Sequence, residues 1–84
     1  MATINVTVPA NSVQVVATAK NSVLVTTEND VPLRIACGGS APEIGGASHP
    51  LTPDHPFAAS GLGTDNTYVL NQFNKAAIVT VTAI

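Results

Sequence analysis

Apolar and polar positions alternate along this chain in short runs, with the two-residue period of strands and not the longer period of a helix. Thr3 to Val8 sets Ile4, Val6 and Val8 on one face and Thr3, Asn5 and Thr7 on the other, and Pro9 ends the run. Val13 to Ala19 places Val13, Val15 and Ala17 on one side. Lys20-Asn21-Ser22 then turns into Ser22 to Thr27, where Val23 and Val25 continue the pattern, so these two strands are expected to form a hairpin. After the polar cluster Glu28-Asn29-Asp30, Pro32 opens a strand with Leu33, Ile35 and Cys37 inward and Arg34 and Ala36 outward. Phe57 to Ser60 reads as a short strand followed by the turn-rich Gly61 to Asn66. Tyr68 to Phe73 places Tyr68, Leu70 and Gln72 on one face and Val69, Asn71 and Phe73 on the other, and the pattern leaves open which face is buried. Asn74-Lys75 has the chemistry of a tight hairpin turn, and Ala77 to Ile84 carries isoleucine opposite its Ala/Val face, as a strand covered on both sides would. No segment sustains a helical repeat. Six to eight short strands predict one all-β domain over residues 1–84, a small antiparallel β-sandwich or jelly-roll-like barrel.

Between these strands lies Gly38 to Pro56, which holds four of the six glycines, four of the six prolines and both histidines. A connection this long is uncommon in a compact domain and is usually functional. The prolines fix their own φ and push the residues before them toward extended backbone, so the segment is expected to be a shaped, Gly/Pro-rich arm that attaches to a partner. Its contacts are assigned to Ile44 and Leu51, its only sizeable apolar residues, and to His49 and His55.

Composition narrows the function. Eighty-four residues with two Phe, one Tyr and no Trp build a thin core of aliphatic side chains, and one cysteine closes no internal disulfide. Only 10% of the residues are charged, against about 25% in an ordinary soluble domain. A surface so poor in Lys and Glu resembles one that ends against another protein, which points to an oligomer or lattice component. The net charge of −2, with Lys20, Arg34 and Lys75 as the only bases, excludes the basic patch of a nucleic-acid binder. The opening residues lack the basic and apolar regions of a secretory signal, and no apolar run is long enough to span a membrane. The chain is expected to be made and kept in a cytoplasm, with no membrane partner.

Candidate chemistry is sparse. His49 and His55, with Glu43 and Asp54 nearby, are the one constellation with metal-ligand chemistry, but each histidine precedes a proline and the spacing matches no defined site, so no metal or cofactor is expected. Cys37, His49 and Asp54 are residue types of a nucleophile, base and orienter without a local signature, and Cys37 is expected to be a small buried apolar residue. Gly61-Leu62-Gly63 opens no helix and is too short for a phosphate loop. No enzyme activity is expected.

Pro32-Leu33-Arg34-Ile35-Ala36, Ala41-Pro42, the run His49 to Phe57, Tyr68-Val69-Leu70 and the closing Ile78 to Thr82 together resemble small virion proteins of tailed bacteriophages. In that group an "APxxxG…PLxPGxxF" arm leads to an aromatic-bearing strand and a final VTVT-like strand, and Pro53-Asp54 here stands where the pattern has Pro-Gly. The resemblance covers about residues 22 to 82. It implies a β-sandwich structural protein similar to head decoration or cement proteins, which sit as trimers on the capsid surface. The implied partners are further copies of the chain and the major capsid protein. A tail-fibre tip or receptor-binding module is the alternative.

Overall fold

A computed structural model describes residues 2–84, and these form eight strands and no helix. The strands are β1 (Ala2–Val8), β2 (Ser12–Ala17), β3 (Val23–Thr27), β4 (Leu33–Gly38), β5 (His49–Leu51), β6 (Phe57–Ala59), β7 (Asn66–Asn71) and β8 (Ala77–Ala83). They make two four-stranded sheets, ordered β1-β8-β3-β6 and β2-β7-β4-β5, and every pairing is antiparallel. Val23 and Val25 of β3 and Val79 and Val81 of β8 supply one inner face. Leu33 and Ile35 of β4, Leu51 of β5 and Val69 of β7 supply the other, so alternate positions of each strand meet in one aliphatic core.

The alternation read from the sequence holds in β1, β3, β4 and β8, where the inward positions are the buried ones apart from the half-exposed Ile4 and the partly buried Val6, Cys37 and Ala83. Ile78 is 50% exposed, so β8 is covered on its inner face only. In β2 the phase breaks. The register against β7 shifts between Val15 and Ala17, a β-bulge that turns Val16 and Ala17 into the core and leaves Val15 exposed.

Both expected hairpins are corrected. β2 lies in one sheet and β3 in the other, and so do β7 and β8, so Lys20-Asn21-Ser22 and Asn74-Lys75 are crossovers between layers. Only β4 and β5 are neighbours both in sequence and in a sheet. Local turn chemistry is the same for a hairpin and a corner; burial of the two apolar faces decides between them. Side-chain amides clamp these corners. Asn21 accepts from the Gly63 N–H at 2.9 Å through Oδ1 and from the Leu62 N–H at 3.0 Å through its carbonyl, which ties the β2–β3 connection to the β6–β7 connection. Asn71, fully buried, donates from Nδ2 to the carbonyls of Val8 at 3.3 Å and Lys75 at 2.7 Å and accepts from the Phe73 N–H at 2.9 Å.

Ala19, just after β2, has a left-handed backbone with φ of 53°. Its N–H donates to Asn66 Oδ1 at 2.9 Å, which holds the residue there against a cost of about 1 kcal/mol for an L side chain. Ala19→Gly should therefore raise stability by roughly 0.5 kcal/mol, the relief of strain less the extra freedom gained by the unfolded chain. A higher urea midpoint with an unchanged slope is the expected reading.

The segment Gly38 to Pro56 is not a single unstructured arm. Its residues His49–Leu51 form β5, which pairs with Leu33 to Ile35, and Leu51 lies in the core with no exposed surface. Thr52 and His55 then bridge across Pro53-Asp54, with the His55 N–H on the Thr52 carbonyl at 2.9 Å. The preceding part is pinned onto the sheet. Arg34 donates from Nε to Ser48 Oγ at 2.9 Å and from Nη2 to the Ser48 carbonyl at 2.6 Å, and Gln72 Nε2 donates to the Ile44 carbonyl. Arg34 is in register with Leu70, on the face opposite the core, so these bonds hold residues 44–48 over the outside of that sheet. Tyr68 and Leu70, which alternate with the core residue Val69, are buried on that outer side. This settles the ambiguous strand: both of its faces are covered.

Candidate functional site

The four residues assigned to partner contact do not share one surface. Ile44 is exposed in the turn Glu43 to Gly46, closed by a Gly46 N–H to Glu43 carbonyl bond of 2.8 Å. His49, the first residue of β5, and His55, between β5 and β6, are exposed, the His49 ring stacking on Phe57 with centroids 6.3 Å apart. Leu51 is corrected outright, because a side chain packed in the core offers nothing to a partner. Among the described residues no three of the His, Cys, Asp and Glu side chains gather closely enough to hold a metal ion. Cys37 is half-buried, where the alternation predicted burial, and its Sγ lies 3.6 Å from Thr67 Oγ1.

The distribution of charge marks a different surface. Of the three basic and five acidic residues, only Arg34 lies in a strand, and its guanidinium is spent on Ser48. Every other charge sits in a connection between strands. The outer face of the β1-β8-β3-β6 sheet therefore carries none. Its register aligns Asn5 with Thr80 and Thr26 across three strands, and Thr3 with Thr82, Leu24 and Ala58 across four. Leu24 is 47% exposed, and Ile78 stands beside Thr7.

The polar groups of that face partly satisfy one another. The hydroxyls of Thr3 and Thr82 are 2.7 Å apart, and Thr80 Oγ1 donates to Asn5 Oδ1 at 2.9 Å. A partner that excludes water here strips fewer unpaired groups than on a charged sheet, and it meets two aliphatic side chains that gain from burial. The surface suits docking against a flat protein face. Alternation along the chain identifies the outward residues of each strand without showing which strands lie side by side; the sparse charge is the one sequence signal that such a face exists.

A second feature lies along one side of the sandwich, where β1 and β2 are the terminal strands of their sheets. An open groove of about 530 Å³ runs there, lined by Ile4, Val16, Ala17, Val81, Ala83 and Ile84, with Lys20 the one charged side chain among the described residues that line it. Ile4 points inward from β1 yet is 53% exposed, because the two sheets leave this side open.

Comparison of the chain with protein-family models, with curated proteins and with solved structures finds no match.

Proposed function

We propose that this protein is a non-enzymatic virion structural protein, a decoration or cement component that docks on the head of a tailed bacteriophage and stabilises it. The observation that carries the reading is the charge-free outer face of the β1-β8-β3-β6 sheet, with Leu24 of β3 and Ile78 of β8 half exposed on its two inner strands. A cement protein works by adding buried, uncharged contact across junctions of a shell, and that face supplies it without a pocket or a reactive group. We also infer a jelly roll from the strand order. Pairing the first, eighth, third and sixth strands in one sheet and the second, seventh, fourth and fifth in the other is the order of an eight-stranded jelly roll, an architecture that recurs in viral capsid domains. That support is by analogy of fold, and the resemblance in sequence is the other. The capsid protein is the proposed partner and the virion surface the proposed location.

The test uses expanded empty heads that lack a decoration protein. The chain should bind them saturably and raise their melting temperature, and Leu24→Glu or Ile78→Glu, which alter exposed side chains and spare the fold, should abolish both effects. Unchanged binding by these variants would remove the face from the account, and attachment to host cells in place of heads would favour a tail-tip receptor module.

A further inference from the structure

We infer that the free edge of β1 pairs with the same edge of a second copy, antiparallel and centred on Asn5. The strands with an open edge are β1 and β6 in one sheet and β2 and β5 in the other. Proteins blunt such edges by shortness, proline, bulges or charge. β5 and β6 are three residues each, β5 contains Pro50, and β2 is broken by its bulge. β1 has none of these devices: it runs seven residues, Ala2–Val8, with no charge, no proline and an unbroken register against β8. Among the described residues nothing pairs with its outer edge.

The strand is complementary to itself. A twofold centred on Asn5 uses all seven residues, sets Ile4 opposite Val6 of the second copy and Thr3 opposite its Thr7, and so keeps inner residues with inner and outer with outer. The axis then stands normal to the sheet, which leaves both β2-β7-β4-β5 sheets on the same side of one continuous eight-stranded layer. The two grooves face each other. Ile4, half exposed in the single chain, gains cover from Val6 of the second copy. Neither β1 nor β2 carries a charge, and the charged residue of the groove, Lys20, lies past the end of β2, so identical copies meet along the strand itself without the like-charge repulsion that an isologous contact imposes on any charged residue near its axis. That property favours a second copy over a foreign strand as the occupant. The pairing belongs to the free chain and holds whatever the docking partner is. It is a twofold contact, distinct from the threefold assembly that the resemblance implies, and stoichiometry separates them.

Sedimentation equilibrium of the full chain should show a dimer at about 100 µM. Asn5→Lys and Asn5→Asp each place like charges face to face at the axis, on an exposed side chain, and each should raise the dissociation constant about tenfold or more. An equimolar mixture of the two should recover the dimer. A chain carrying both Thr3→Lys and Thr7→Asp sets each cation opposite a carboxylate and should associate at least as tightly as the parent, whereas Thr3→Lys with Thr7→Lys should not. A monomeric or trimeric parent, variants that associate like the parent, or a mixture that fails to recover the dimer would each overturn the pairing.

Discussion

Leu51→Asp should abolish the folded state. Leu51 has no exposed surface and sits opposite Leu33 in the β4–β5 pair, within the aliphatic core. Truncating such a leucine costs about 2–5 kcal/mol, and burying a carboxylate with no partner adds several more. An 84-residue domain has about 4–12 kcal/mol in all. The variant should lose its cooperative melting and its β-type circular dichroism, while Leu51→Ala should stay folded with a urea midpoint lowered by the equivalent of about 3 kcal/mol. The outcome bears on how the Gly/Pro-rich segment is read. As an exposed arm it would tolerate the charge and lose only its grip on a partner; as the connection that carries β5 into the core it cannot.

Asn71 should be nearly as sensitive. Its amide makes three hydrogen bonds in a site with no exposure, two donated to carbonyls of the β1–β2 and β7–β8 corners and one accepted from Phe73. Asn71→Ala leaves those three backbone groups short of a partner and opens a small cavity, a loss of roughly 3–5 kcal/mol. Asn71→Asp has the same shape, but at neutral pH its ionised carboxyl turns both donors into acceptors facing carbonyl oxygens. The deficit at neutral pH should equal or exceed that of the alanine variant, and it should shrink on acidification, when the carboxyl is protonated and can donate again. A urea series for both variants at neutral and acid pH reads the effect. An Asn71→Asp variant as stable as the parent at neutral pH would mean that the corner is not held by this amide.

The long strands were legible because one face of each is buried and the other is not, which writes the two-residue period into the sequence. β5 was not. Its three residues His49–Leu51 include a proline and span too little chain for any period to register; only its place at a sheet edge, where no N–H is needed on the open side, makes Pro50 acceptable. The bulge in β2 was invisible for a related reason, since one extra residue shifts the phase and Val15 and Val16 are equally apolar. β7 read ambiguously because it is covered on both faces, by the core and by residues pinned through Arg34 and Gln72, and no local pattern announces such a cover. The candidate site was legible in composition alone. Scarce charge implied a surface made for contact, but the threonines and asparagines of β1, β3 and β8 become one face only after strands distant in sequence are placed side by side.

Cryo-electron microscopy of purified particles containing this chain tests most directly the proposal that the charge-free sheet face docks on a phage head. The account predicts density for an eight-stranded sandwich at junctions of the capsid shell, with Leu24, Ile78 and Thr80 turned toward the shell and the β4–β5 side turned away. Density confined to the tail, or a head-bound sandwich with Leu24 and Ile78 facing solvent, would contradict it.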